Sequence, residues 1–390
     1  MPTATASPHQ RGALMKAGDL ATTSAAPRPP APSTLLEPGQ RGPNFALRNA
    51  EGRVERFYDR FIGNMMLLLF YPSRQSPAAT AALQGLAAQA DALKAAGTAA
   101  VAVSREDLGS IRTTKADLAL PYPLYWDQDG AVAASYGLEV GAPIGAEGAC
   151  LGYLLDRNQR VLAAFPGGSD QAERALAFLA ELTPTPAGQT ISRQAPVLLV
   201  PRVFGPALRE RAIAAWRGGH EEGQVAMPSR AYAEDAENKP ANTHYHSLKS
   251  RLDHVADDRF NPLLMQTIKS RLAPELLQAF QFRIGAMERV CIGAYDAGRG
   301  DYFRPHRDNI TERTRERRFA VTINLNDDYE GGGVKFAEFS EDVYRPEAGG
   351  ALIFSCSLLH EALPVTRGIR IGAFTFLYGQ GYKAENPAPR

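Results

Sequence analysis

The run Met287–Asn309, MERVCIGAYDAGRGDYFRPHRDN, decides how the second half of this chain is read. It opens on a short extended segment, MERVCIGAY, passes through a glycine-bearing turn, and continues into a second segment that carries His306 and Asp308. Further short segments of the same kind follow as RRFAVTINLN, GGVKFAEF, YRPEAGGALIFS, HEALPV and RIGAFTFLY, with Gly, Asn and Pro between them. Runs punctuated in this way indicate a sandwich or a barrel. Upstream, VLLVPRVFGPALRERAIAAW reads as a strand and then a helix entered at Pro206. FNPLLMQTIKSRLAPELLQAF reads as helix on both sides of Pro274. Residues 197–382 are therefore expected to form an α+β unit.

His306-Arg307-Asp308 taken alone is more often a surface turn with an ion pair than a metal site. On a strand, however, residues i and i+2 point the same way, so His306 and Asp308 can reach one ion. Beyond His254 the chain has two histidines, His306 and His360, and His360 lies just past the strand-like GALIFS. Two imidazoles and one carboxylate suit a divalent iron that must keep several coordination positions open. Arg370 follows on another expected strand. It could hold, bidentately, the far carboxylate of a keto-diacid whose 2-oxo acid end chelates the iron. Arg307 is expected to face away from the metal, and Arg367 to be an ordinary strand-edge arginine. Cys356 reads as a small buried residue. The run TERTRERR, Thr311–Arg318, reads as a solvated loop or as a dock for an acidic or extended substrate. His244 and His246 are spaced like a metal pair but sit in a polar loop, as surface or substrate-loop residues.

YDAGRGDYFRPHRDN, RRFAVTINLNDDYEGGGVKF and HEALPVTRGIR resemble the prolyl 4-hydroxylase-like branch of the iron(II)/2-oxoglutarate dioxygenases. The resemblance spans Val197 to Tyr382. It implies that His306, Asp308 and His360 bind Fe(II), that Arg370 binds the far carboxylate of 2-oxoglutarate, and that Tyr295 lines the same pocket. Tyr302 and Asn324 are further pocket candidates, with Asn324 standing where some relatives have tyrosine. The implied fold is a double-stranded β-helix, a jelly roll backed by helices. The implied reaction consumes O2, decarboxylates 2-oxoglutarate to succinate and hydroxylates an unactivated C–H bond, with ascorbate as an auxiliary reductant. Asp308 argues against a halogenase, which needs that ligand replaced by halide. The expected substrate is a protein or peptide residue such as proline; a small molecule of a biosynthetic pathway is the alternative.

The first half alternates strand and helix signals, which indicates an α/β layer structure with a partly parallel sheet. MMLLLFY and TAAVAVS read as buried strands, and PAATAALQGLAAQADALKAAG as a helix closed by Gly97. LGYLLDRNQRVLAAF reads as two strands around an Asp-Arg-Asn turn, and SDQAERALAFLAELT as a helix capped by Ser169 or Asp170. EPGQRGPNFALRNAEGR, LLLFYPSRQSPAATAAL and YPLYWDQDGAVAASYGL resemble the peroxiredoxin branch of the thioredoxin fold, over residues 35–182. Peroxiredoxins carry P-x-x-x-T-x-x-C where the first long helix begins, and the helix N-terminus makes the thiolate. Here the segment runs from Pro72 to Ala79, with Ser76 for the threonine and Ala79 for the cysteine. Cys150 falls where those enzymes place an arginine, not where they place the nucleophile. The resemblance therefore implies a folded but redox-silent domain. It would serve structure, a protein partner or substrate presentation, or persist as a scaffold without a present role.

A chain of 390 residues suggests two domains plus tails. Residues 1–34 are Ala/Pro/Ser/Thr-rich and read as a disordered tail, though their scarcity of acids also leaves a transit peptide open. Residues 183–196 read as a linker and 383–390 as a second tail. Lysine and arginine total 43 and aspartate and glutamate 42, so charge gives no reason to expect nucleic acid or a membrane surface. No apolar run approaches the ~20 residues of a membrane span. The three cysteines are scattered, which fits a reducing cytoplasm rather than a disulfide framework.

Overall fold

The computed structural model describes residues 35–61, 63–138, 150–182, 188, 190–222 and 249–382. The two expected tails, part of the expected linker, and His244 and His246 lie outside the described residues.

The N-terminal half is built on a seven-stranded sheet: β1 (Ala46–Asn49), β2 (Val54–Arg56), β3 (Met65–Phe70), β4 (Thr98–Ser104), β5 (Leu124–Trp126), β6 (Leu151–Leu155) and β7 (Val161–Pro166). Their order is β2-β1-β5-β4-β3-β6-β7. β3, β4 and β5 run parallel, and the outer pairs are antiparallel. MMLLLF takes an inner position because it is apolar on both faces, as a strand covered on both sides must be. Leu67 and Leu69 pack with Leu83 and Leu86 of the helix Pro77–Ala88. Met66, Leu68 and Phe70 pack on the opposite face with Phe57, Tyr136 and Tyr153. This is the thioredoxin-like arrangement expected. Two details differ. The alanine-rich helix breaks at Gln89, so Pro77–Ala88 and Ala90–Ala95 are separate helices. Asp170 precedes the helix Gln171–Glu181 without making a side-chain cap bond.

The C-terminal half adds β8 (Leu198–Val200), β9 (Glu221–Glu222), β10 (Lys249–Ser250), β11 (Leu252–Val255), β12 (Ile284–Met287), β13 (Cys291–Asp296), β14 (Tyr302–His306) and β15 (Phe319–Asn324). It continues with β16 (Glu330–Gly331), β17 (Val334–Lys335), β18 (Val343–Tyr344), β19 (Ala351–Ser355), β20 (His360–Ala362), β21 (Val365–Arg367) and β22 (Ile369–Gly379). One sheet is ordered β8-β19-β15-β22-β13-β11-β9, with β12 also paired to β22; the other is ordered β10-β14-β20-β17-β18. β16 and β21 form a separate pair. The helix Asn261–Phe280 runs unbroken through Pro274. Its Leu264, Ile268, Leu272 and Leu276 recur every fourth residue and pack against Ile292, Ile323, Ile353 and Ile371 of the larger sheet.

The same helix meets the N-terminal half through a buried polar clamp. One oxygen of Glu275 accepts from Arg41 Nε (3.1 Å) and Nη2 (2.6 Å). The other accepts from Asn158 (3.0 Å) and Arg160 (2.5 Å). Arg271, one turn earlier, pairs with Glu37 at 3.0 Å. Burial works against the Glu275 charge, but Arg160 and Arg41 hold its carboxyl below the ordinary value. No helix among the described residues is long and apolar enough to cross a membrane.

Candidate metal centre

β14 and β20 pair antiparallel, and their register sets His306 directly opposite His360. His306 is the last residue of β14, so Asp308 lies just beyond the strand instead of within it. The three side chains still converge: their ligand atoms all lie within 4.8 Å of one another. Asp308 Oδ1 is 3.4 Å from His306 Nε2, and Oδ2 is 3.4 Å from His360 Nε2. Each imidazole is oriented from behind. His306 Nδ1 meets the Arg304 carbonyl at 2.7 Å and His360 Nδ1 meets that of Leu358 at 3.0 Å. A proton on each Nδ1 leaves both Nε2 lone pairs aimed at Asp308, the tautomer a metal-binding histidine needs. Phe303 stacks on His306 at 3.6 Å and Phe354 meets His360 edge-on at 4.5 Å. Burial pulls His360 down, against the opposing pull of the Asp308 charge. Burial also works against the Asp308 charge, yet His360, His306 and Arg317 hold that carboxyl below its usual range.

The triad lines a cavity of about 270 Å³ that also contains Arg370 and Tyr295. Tyr295 and Arg370 face each other across β13 and β22, with the guanidinium 5.7 Å from the ring centre. Arg370 is 1% exposed. Its Nε donates to Asn324 (3.1 Å) and an Nη donates to Thr322 (3.4 Å). Among the described residues no carboxylate pairs with it. A buried guanidinium without an anion is costly, and a carboxylate ligand would relieve that cost.

The other two residues named from sequence do not line the cavity. Asn324 is buried behind Arg370, where it accepts from the arginine and donates to the Tyr329 hydroxyl (2.9 Å) and the Pro346 carbonyl (2.7 Å). It orients Arg370. Tyr302 pairs with Ser250 and stacks on Arg304. The ladder shifts register between Phe303 and His306, so Phe303 and not Tyr302 shares the cavity with His306. Arg307 pairs with Glu338 at 2.5 Å, and Arg367 with Glu330 at 2.6 Å in an exposed edge pair. Cys356 is fully buried.

Sequence reading missed further cavity residues. Arg251 sits where the chain passes from β10 to β11, between the two sheets. It pairs with Asp253, lies over Phe374 at 4.2 Å and donates to the Tyr295 hydroxyl at 3.4 Å. Lys249 also bonds Asp253, at 2.7 Å, and burial pulls its ammonium down to about 8. The alternation of KSRLD, which puts Lys249, Arg251 and Asp253 on one face of an extended segment, was the available signal. Thr311, Thr314 and Arg317 of the charged run TERTRERR also line the cavity.

The chain matches the AhpC/TSA family over residues 38–164 and the 2OG-Fe(II) oxygenase superfamily over residues 292–378. The first stretch is 30% identical over 105 residues to a peroxiredoxin bcp of Coxiella burnetii, covering 27% of this chain and 69% of that protein. The N-terminal half belongs to the AhpC/TSA family, and the C-terminal half carries the match to the 2OG-Fe(II) oxygenase superfamily. The oxygenase half is 28% identical over 119 residues to a PKHD-type hydroxylase of Synechococcus sp. (strain JA-2-3B'a(2-13)); the match covers 29% of this chain and about half, 52%, of that protein. Among solved structures, peroxidoxin BcpB from Mycobacterium tuberculosis is similar, with 20% identity, a TM-score of 0.35, and coverage of 38% of this chain and 99% of that one.

Fe(II) and 2-oxoglutarate follow from the oxygenase family, and the residues present fit both. The oriented Nε2 pair and the adjacent carboxylate suit the metal. The buried, anion-free Arg370 suits the distal carboxylate. The AhpC/TSA half presents the reverse case. Ala79 lies fully buried in the first turn of the helix Pro77–Ala88, where its N–H bonds Ser76 Oγ at 3.4 Å. Pro72 and Ser76 still shape the turn, and Ser73 bonds Glu106 at 2.7 Å. The cysteine of this half that the structure describes, Cys150, is buried, and burial pushes its thiol up to about 12. No thiolate forms there at neutral pH.

Proposed function

We propose that this chain is an Fe(II)- and 2-oxoglutarate-dependent hydroxylase that acts on an unactivated C–H bond, with O2 as oxidant and ascorbate as auxiliary reductant. The observation that carries the reading is one cavity holding His306, Asp308, His360 and an anion-free Arg370. Bound Fe(II) supplies oxygen activation coupled to conversion of 2-oxoglutarate to succinate. The protein's residues supply placement. His306, Asp308 and His360 would hold the metal on one side and leave the cavity side open. Asn324 and Thr322 fix Arg370 so that its remaining donors meet the distal carboxylate. Tyr295 accepts from Arg251, which frees its own proton to donate into the cavity. Phe303 and Phe354 shield the imidazoles from water. We read the paired sheets as a double-stranded β-helix, with the triad between β14 and β20.

At about 270 Å³ the cavity lies just under the ~300–1,000 Å³ typical of ligand pockets. Beside a bound cosubstrate it admits a small reacting group. That favours a single residue of a protein or peptide, proline being the leading candidate by family analogy. The AhpC/TSA half acts as scaffold or as a partner-binding surface in this reading. The test is aerobic incubation with Fe(II), ascorbate and 2-oxoglutarate, with succinate measured after adding the dialysed or the small-molecule fraction of a cell extract. Stimulation by the dialysed fraction supports a macromolecular substrate, and stimulation by the other supports a metabolite. No succinate with either fraction would sink the proposal.

A further inference from the structure

Asp308 needs support that His306 does not. His306 is held by the pairing of β14 with β20, whereas Asp308 lies past the end of β14, beyond the regular ladder. Its peptide groups must find other partners. The Asp308 N–H bonds the Cys356 carbonyl at 3.0 Å. The Asp308 carbonyl accepts from Arg317 Nη1 at 3.4 Å.

Arg317 is itself fixed from several sides. Glu288 accepts from its Nε at 2.6 Å and its Nη2 at 2.8 Å, a bidentate pair. The Phe376 ring lies under the guanidinium at 3.7 Å. The next residue, Arg318, donates its N–H to Leu377 (2.9 Å) and accepts from the Cys356 N–H (3.0 Å). Glu288 is anchored in turn. Tyr378 donates to its carboxylate at 2.5 Å, its N–H bonds Phe376 at 3.0 Å, and its carbonyl accepts from Thr375 at 2.8 Å. A chain of bonds thus runs from β22 through Glu288 and Arg317 to the main chain of Asp308.

We infer that the Arg317–Glu288 pair positions Asp308 as a metal ligand. This rests on the metal reading above and extends it to residues outside the triad. The guanidinium fork is taken up by Glu288 and Asp308, so Arg317 is a support and not a dock for an acidic substrate.

The test is the Fe(II) dissociation constant of the metal-free full chain, measured anaerobically by chelator competition without 2-oxoglutarate. Arg317→Met, which keeps the stem and loses the fork, is expected to weaken Fe(II) binding roughly 10- to 100-fold, the usual effect of removing a ligand's outer support. Arg317→Lys should recover part of the loss. Glu288→Gln, which keeps the shape, should weaken binding in the same direction and serves if Arg317→Met does not fold. With saturating Fe(II), the KM for 2-oxoglutarate should stay within about twofold of wild type, because Arg370 is untouched. If the wild type binds Fe(II) and the variants bind it equally well, the inference is wrong while the proposed function stands. The same conclusion follows if Fe(II) affinity falls only together with 2-oxoglutarate affinity, or if Lys restores nothing. A wild type that binds no Fe(II) refutes both.

Discussion

Around Ala79 the helix start resembles that of a peroxiredoxin, with alanine at the cysteine position, whereas around Asp308 three potential metal ligands lie together with the groups that orient them. The comparison separates what folds a domain from what it does. Ser76 still meets the helix start, Pro77 still opens the helix, and Leu67 and Leu69 still pack on it. None of these needs a thiol, and alanine fills the buried position. The oxygenase half contains features that oppose folding: an anion-free buried guanidinium and three potential metal ligands crowded together. A ligand would relieve that cost, which is why these features mark the candidate site.

The sharpest way to break the comparison is to remove the chemistry from the second half. His306→Ala should abolish both Fe(II) binding and succinate formation, with the thermal transition retained; metal analysis and calorimetry check this.

Next in size is the clamp between the halves. Glu275→Ala leaves Arg41 and Arg160 facing each other without their carboxylate, and should cost about 3–5 kcal/mol in denaturant unfolding. Because the folded Glu275 carboxyl is held below its ordinary 4.5, its contribution is present above that pH and is lost as pH falls through the folded value. Melting temperature against pH should therefore fall less steeply on the acid side in Glu275→Gln than in the wild type. An unchanged acid limb would contradict the buried pairing.

Arg370→Met should raise the KM for 2-oxoglutarate by roughly 10- to 150-fold, equivalent to about 1.5–3 kcal/mol for a charged hydrogen bond. It should also narrow the preference for 2-oxoglutarate over a 2-oxo acid without a distal carboxylate. Steady-state kinetics with both acids tests this. The smallest expected effect is in the first half: Ala79→Cys should leave the succinate rate within about twofold of wild type, since every residue lining the cavity belongs to the C-terminal half.

Local pattern carried much of this. MMLLLF announced an inner strand, and His306, Asp308, His360 and Arg370 stood out because each had a chemical reason to be there. What was not legible depended on long-range placement. The Glu275 clamp joins residues more than a hundred positions apart, which no periodicity encodes. Counting back from His306 by strand alternation points to Tyr302, but a register shift between Phe303 and His306 puts Phe303 in the cavity, and no sequence pattern marks that shift. Asn324 is a pocket candidate by the resemblance, which does not show that the Arg370 side chain stands in front of it. Arg317 was lost in TERTRERR, where four arginines look alike and one of them meets Glu288 and Asp308.

The most direct measurement is succinate formed from 2-oxoglutarate by the Fe(II)-loaded full chain and by His306→Ala, side by side, with the dialysed extract present. The expected result is iron-dependent succinate from the wild type and none from the variant. Succinate from His306→Ala at the wild-type rate, or none from an iron-loaded wild type, would contradict the placing of the chemistry in the C-terminal half.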